Sequence, residues 1–273
     1  MTSVCLLSGL TYTDQVLPNP NARRILVLNL MPNRAVTEQQ FVRIFRATGQ
    51  NVNLTFCLPS THHLRQNTLA LHRAYKVFDE VKNEYFDGLI ITGAPLDRVD
   101  FADVDYWDEL KEILAWRRTH VSSSLFLCWG ALAAGHIEGD FEGQRLDHKI
   151  VGVYDVGGYH MPQSRYFYIP TTGITHGFVA AGNEELGACI IANPATHTTY
   201  VTGHFEYLPG TLASEYYRDR AKRGAAAPRP AHYFNADMRP VADWTHDAQK
   251  FYREWLTAIP TIKEDIALST TPL

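Results

Sequence analysis

Apolar residues along the first half of the chain alternate between two spacings. "RRILVLNLMP" is a short apolar run ended by Pro32, which predicts a buried strand. In "TEQQFVRIFRATGQ", Phe41, Ile44 and Phe45 fall on one helical face. Thr37 with Gln40 three residues on reads as a capping box, and Gly49 as the terminator. "NVNLTFCL" alternates as a strand does, and "LALHRAYKVFDEVKNEYF" carries helical spacing at Leu71, Tyr75 and Phe78. "GLIITGAP" predicts a second buried strand, broken by Gly93 and Pro95. "VDYWDELKEILAWRRTH" predicts an amphipathic helix through Trp107, Leu110, Ile113, Leu114 and Trp116, with basic residues at its C-terminal end. A further apolar run, "SSSLFLC", follows.

Strands alternating with helices predict an α/β fold, a parallel sheet covered by helices. Such sheets carry their functional residues at the carboxyl ends of the strands. Asn29 to Pro32, Thr92 to Leu96 and Cys128 occupy those ends. The second half is less regular. "HKIVGVYDVGGYH", "GACIIAN" and "TTYVTGHFEY" read as strands, and a helix runs from about Leu212 to Arg223. A last helix passes through Trp244, Phe251, Tyr252, Trp255 and Ile259, with an apolar face that packs on the body. "GAAAPRPAHYF" is a connection without a charge shift, so the expectation is one α/β domain over 1–273.

Composition narrows the function classes. The chain is 45% hydrophobic and 20% charged, ordinary values for a globular protein. A net charge of −4 supplies no electrostatic footprint for nucleic acid or an anionic membrane. "MTSVCLLSGLTYTDQ" lacks the basic and apolar regions of a secretory signal, and no run is long enough to span a membrane. Cys5, Cys57, Cys128 and Cys189 are far apart and form no C-x-x-C pair, which suits a reducing cytoplasm. Twelve histidines include no H-E-x-x-H, and His62-His63 reads as a solvated pair, so no metal is expected.

The densest chemistry lies in "SSSLFLCWGALAAG". A lone buried cysteine is most often packing. At the junction of a strand and a helix, however, a thiol is displayed, and the first backbone N–H groups of the helix stabilise a thiolate and an oxyanion. A base is available in "YVTGHFEY": His204 with Glu206 at i+2, which share a face if the backbone there is extended. Read this way, Cys128, His204 and Glu206 form a Cys-His-Glu triad; the plain alternative is an inert cysteine and a solvated strand end.

"VLNLMPNRAVTEQQFVRIF", "FDGLIITGAPLDRVDFADVDYWDEL", "HVSSSLFLCWGALAA", "SRY", "YVTGHFEY", "TLASEYYRD" and "HYF" occur in that order. Together they resemble the signature segments of the homoserine O-acyltransferases of the transsuccinylase type, from about Arg24 to Ile259. The resemblance implies a flavodoxin-like sheet of the class I glutamine amidotransferase kind. It implies that Cys128 accepts an acyl group from acetyl-CoA or succinyl-CoA as a thioester, with His204 as general base oriented by Glu206 and no bound cofactor. Arg218 matches the arginine that binds the acceptor's α-carboxylate. Ser164, Arg165 and Tyr166 match an S-R-Y motif near the acceptor pocket, and Arg34 stands where the family usually has lysine. Backbone N–H groups of Trp129 and near Leu96 are implied for the oxyanion hole.

Two departures from the family's pattern matter, and one further position bears on the donor. The segment "GVYDVGGYHMPQSRY" and the lead-in before Arg24 are short, which opens L-serine beside L-homoserine as the acceptor. Phe205 replaces a usual proline, a change expected to leave the triad intact. Asp97 occupies the position where glycine accompanies succinyl use and glutamate accompanies acetyl use in the family, so acetyl-CoA is the expected donor. Partners are then small molecules, with a homodimer left open. The competing readings are a glutamine amidotransferase-like cysteine hydrolase and a non-enzymatic member of the same fold.

Overall fold

The computed structural model describes residues 3–12, 17–63 and 68–260. Its strands are β1 (Val4–Leu6), β2 (Arg23–Leu28), β3 (Val52–Leu58), β4 (Lys76–Val77), β5 (Phe86–Ile91), β6 (Val121–Leu127), β7 (Gln144–Val156), β8 (Tyr159–Tyr168), β9 (Phe178–Asn183), β10 (Gly187–Asn193) and β11 (Thr198–Val201). Its α-helices are α1 (Arg34–Thr48), α2 (Thr68–Ala74), α3 (Phe78–Val81), α4 (Trp107–His120), α5 (Trp129–Glu138), α6 (Thr211–Arg223) and α7 (Thr245–Ala258). No helix among the described residues is long and apolar enough to cross a membrane.

The main sheet has the order β1-β3-β2-β5-β6-β11-β10-β9, with β4 pairing β3. It is parallel from β1 through β11; β10 and β9 add antiparallel. Successive residues of a strand serve opposite faces. Ile25 and Val27 of β2 join Phe41, Phe45, Tyr252 and Trp255 of α1 and α7 in one core. Leu26 and Leu28 join Leu110, Ile113 and Leu114 of α4 and the alanines of α5 in the other. The indole of Trp255 packs so close to the sheet that a Cβ at Gly88 would meet it at 2.8 Å. β7 and β8 form a separate antiparallel hairpin turning at Gly157 and Gly158, both at positive φ.

Four sequence expectations are corrected. Helix α1 starts at Arg34 with Asn33 as its N-cap. Thr37 lies inside the helix, and its hydroxyl donates back to the Asn33 carbonyl at 3.3 Å. The helix expected over 69–86 is split, because Lys76 and Val77 leave the helical path to pair with Cys57 and Leu58 of β3. "HKIVGVYDVGGYH" spans the end of one strand, the turn and the start of the next. The strand expected through His204 stops at Val201, where pairing with β6 ends at Leu127.

Candidate active site

Cys128 sits between β6 and α5, at φ +48° and ψ −117°. A non-glycine residue there is strained, and such strain concentrates at functional turns. Its N–H donates to Val201 O at 2.7 Å, while its carbonyl accepts the N–H groups of Ala131 and Leu132, so the turn is clamped on both sides. Close approach demands the following glycine: a Cβ at Gly130 would stand 2.5 Å from the Thr92 carbonyl. Gly93 keeps the space beside the thiol open, since a Cβ there would lie 3.2 Å from Cys128 Cβ and 3.3 Å from His204 Cε1.

His204 and Glu206 approach Cys128 from beyond the end of β11. The sequence expectation paired them through extended backbone, but the chain turns there, with the Tyr207 N–H donating to the His204 carbonyl at 3.2 Å. The turn brings His204 Nδ1 to 2.7 Å from Glu206 Oε1. With Nδ1 engaged, the other ring nitrogen is left for the Cys128 thiol, which lies near enough for each group to shift the other's titration. The phenol ring of Tyr207 stacks on the imidazole at 4.1 Å between centroids, and the His204 N–H donates to Pro162 O at 2.8 Å.

Burial pushes the Cys128 thiol up from its ordinary value, with the His204 imidazole pulling the other way. Burial disfavours charge on His204 too, yet Cys128 and Glu206 outweigh it and raise the imidazole well above its ordinary value. The ring is therefore a stronger base than a free histidine once a thiolate forms beside it.

The thiol opens onto a cleft of about 280 Å³ at the carboxyl ends of the strands. Ala94, Pro95, Asp97 and Arg98, from the loop after β5, form one wall. Lys149 of β7, Ser164 and Tyr166 of β8, and Glu215, Arg218, Asp219 and Arg223 of α6 form the other. That second wall is a polar network. Glu215 accepts from Tyr207 Oη at 2.8 Å and from the hydroxyl of Ser164. Lys149 Nζ lies 3.5 Å from Glu215 and 3.1 Å from Asp219, and Arg218 Nη2 lies 3.0 Å from Asp219. Burial pushes the Glu215 carboxyl up, but Lys149, Ser164 and Tyr207 more than offset this and hold it below its ordinary value.

Asp97 behaves in the opposite way. One carboxylate oxygen accepts the Tyr166 N–H at 2.9 Å, while the other is buried without a partner. Burial raises its carboxyl above the ordinary range.

Sequence reasoning placed Cys128, His204, Asp97, Ser164, Tyr166 and Arg218 together on this cleft, with Glu206 behind His204. Three of its residues belong elsewhere. Arg165 is 0% exposed. Alternation along β8 turns Ser164 and Tyr166 to the cleft and Arg165 to the core, where it donates to Gln163 Oε1 at 2.9 Å, to Leu186 O at 2.7 Å and to Phe167 O. Arg34 opens α1 beside Tyr75 and Tyr106 rather than lining the cleft, and burial lowers its guanidinium below the usual value. The Leu96 N–H is already committed to Ala94 O at 2.8 Å. Trp129 keeps its expected geometry, since its N–H is the first of α5 and has no preceding helical turn to serve as acceptor.

Lys149, Tyr207, Glu215 and Asp219 were not singled out from sequence. Helical spacing held a cue for two of them, because Glu215, Arg218 and Asp219 at i, i+3 and i+4 share one face of α6.

Residues 18–261 match the profile of a family described as Homoserine O-succinyltransferase. A Leuconostoc mesenteroides protein named homoserine O-acetyltransferase is 41% identical, over 85% of this chain and 79% of its own. A Bacillus subtilis protein of the same name is 34% identical, over 86% and 84%. Among solved structures, a glutamine amidotransferase from Methylobacillus flagellatus superposes with TM-score 0.57 at 12% identity, covering 88% of this chain and 95% of that one. One from Thermotoga maritima gives 0.52 at 11% identity, covering 88% and 96%. These two likenesses carry the fold, and with it the expected amidotransferase-like architecture.

Proposed function

This chain belongs to the homoserine O-succinyltransferase family, and on that premise we propose that it transfers an acetyl group from acetyl-CoA to the side-chain hydroxyl of L-homoserine. The observation that carries the reading is that the Cys128 thiol and the imidazole of a hydrogen-bonded His204–Glu206 pair open onto the same cleft as Arg218 and Asp97.

In the first half-reaction His204 takes the proton from Cys128 Sγ, and the thiolate attacks the acetyl carbonyl carbon. The developing oxyanion is met by the Trp129 N–H and the positive end of α5. Collapse breaks the bond to the CoA sulfur, which leaves with the proton held by His204. In the second half-reaction His204 takes the proton of the acceptor hydroxyl, whose oxygen attacks the thioester. The Cys128 sulfur leaves and recovers its proton. Glu206 holds the imidazole in orientation throughout and stabilises its charge. Arg218 receives the acceptor's α-carboxylate through its planar fork, and the Lys149–Glu215 pair beside Ser164 offers partners to the α-ammonium and hydroxyl ends.

Asp97 supports acetyl over succinyl. Its side chain fills volume beside the nucleophile, and its unpartnered oxygen opposes a second carboxylate.

The deciding experiment incubates the protein with acetyl-CoA or succinyl-CoA and a panel of hydroxy amino acids, with products identified by mass. O-acetylhomoserine is the expected product. O-acetylserine as the main product would overturn the acceptor, and O-succinylhomoserine the donor. Release of CoA without any acylated amino acid would favour the hydrolase.

A further inference from the structure

We propose that Arg98 and Arg223, converging on the ring of Tyr166 at the mouth of the cleft, form a phosphate subsite that grips the nucleotide end of the acyl-CoA donor. This rests on the acyl-CoA reading above and adds the residues that separate CoA from a bare pantetheine thioester.

The cations of the cleft fall into two groups. Lys149 and Arg218 are neutralised by Glu215 and Asp219. Arg98 and Arg223 line the same cleft, and among the described residues neither forms an ion pair with a carboxylate. Arg98 donates to the backbone carbonyl of Asp147 at 3.3 Å, and Arg223 to the Tyr166 hydroxyl at 2.6 Å. Both guanidinium groups sit over one aromatic ring, their Cζ atoms 4.1 Å and 5.7 Å from its centroid. The ring's π face favours each of the two cations gathered on it. Among the described residues no carboxylate neutralises either charge, and each arginine keeps unused N–H donors for an anion.

Phosphate is the anion that suits this arrangement. A guanidinium plane matches two phosphate oxygens bidentately, and two arginines can divide a dianion between them. A single α-carboxylate needs only one, already available deeper in the cleft at Arg218. Position favours the donor as well. The pantetheine arm puts a long spacer between a CoA thioester and its phosphates. With the thioester carbonyl at Cys128, the phosphates must lie outside a cleft of about 280 Å³, at its exposed rim. Arg98 and Arg223 are exposed there. The clamp is also tied to the acyl end: the Tyr166 N–H donates to Asp97, which precedes Arg98 in the chain. Gripping the nucleotide and sizing the acyl group are thus done by one loop.

The test measures acylation of Cys128, by intact-protein mass, from acetyl-CoA, acetyl-3′-dephospho-CoA and acetylpantetheine. Wild type, Arg98→Met, Arg223→Met and the double variant are compared at several salt concentrations. Wild type should prefer acetyl-CoA over acetylpantetheine. The preference should fall roughly tenfold with each arginine removed, about 1.4 kcal/mol apiece. The salt dependence of acylation should flatten in the double variant. If 3′-dephosphorylation erases the preference in wild type, the 3′-phosphate is the group held; if it does not, the pyrophosphate is. Unchanged discrimination in the double variant overturns the subsite, as does a loss confined to the KM of the amino-acid acceptor. Failure of wild-type Cys128 to be acylated by any of the three thioesters overturns the acyl-CoA reading, and the subsite with it.

Discussion

Cys128 and the Lys149–Glu215–Asp219 cluster face each other across one cleft, but they reach it by different means. Cys128 is delivered by parallel strands whose apolar residues are buried on both faces, followed by an alanine-rich helix. The opposite wall comes from a hairpin outside the main sheet and from one helix, held by ion pairs and hydrogen bonds. Burial locks the first wall against small displacement, as a nucleophile requires. The second depends on polar partners, which can be exchanged one at a time and still leave a folded protein. A family could keep its chemistry on the first wall and alter its substrates on the second.

The largest effects should come from the first wall. Cys128→Ala should lower turnover by on the order of 10⁴-fold or more while leaving the thermal midpoint near wild type, as turnover assays and thermal melts would report. Near-normal turnover would dismiss it as the nucleophile. His204→Ala should cost almost as much, and Glu206→Gln less, on the order of 10²–10⁴-fold, because the carboxylate orients the imidazole without transferring a proton itself. A Glu206 variant worse than the histidine variant would reverse those roles.

Arg218 on the second wall and Asp97 on the loop after β5 should respond by half-reaction. Arg218→Lys should raise the KM for the acceptor by roughly 10- to 100-fold, since the charge survives but the planar fork is lost. Acyl-enzyme formation, followed by mass without acceptor, should survive; equal loss in both halves would remove Arg218 from the acceptor site. Asp97→Gly should shift the donor ratio toward succinyl-CoA by tenfold or so, by opening volume and removing a carboxylate. An unchanged ratio would leave donor choice to some other residue.

The smallest effects contrast two carboxylates of one cleft. Glu215 is held below the ordinary glutamate value, so it stabilises the fold above that value and the contribution is lost as pH falls through its folded pKa. Glu215→Gln should therefore lower the melting temperature at pH 7 and flatten its decline in acid. Asp97 is raised, so its favourable contribution exists in acid, below the ordinary aspartate value, and disappears as pH climbs through the folded pKa. Asp97→Asn keeps an acceptor for the Tyr166 N–H and should raise the melting temperature at pH 7 by a degree or a few. Shifts of the same sign in both variants would contradict the assignment.

The two walls also differ in how far they can be read from sequence. The strand runs at Ile25–Leu28 and Leu89–Ile91, and the turn at Cys128, follow from apolar spacing, because a strand buried on both faces has few other sequences open to it. Gly93 was read only as the break after a strand; the close approaches that it and Gly130 allow become visible in the structure. Arg165 was assigned to the cleft because adjacent residues of a motif were treated as a unit, although a strand sends neighbours to opposite sides. His204 and Glu206 were paired for a reason that does not hold in the structure, since a turn does what extended backbone was expected to do. Lys149 had no local cue: its partners are on α6, far along the chain, and only the tertiary fold brings them together.

β6 and β11 lie side by side in the sheet, yet the hairpin and two further strands separate them in the chain. During synthesis the strand and elbow that carry Cys128 emerge well before β11. Loop closure over that distance is slow compared with forming the local strand–helix units. A nascent chain therefore passes through a period in which the thiol lacks both the His204 imidazole and the carbonyl of Val201 that anchors the Cys128 N–H. On the proposed mechanism, activation of the thiol therefore waits for β11 to pair with β6.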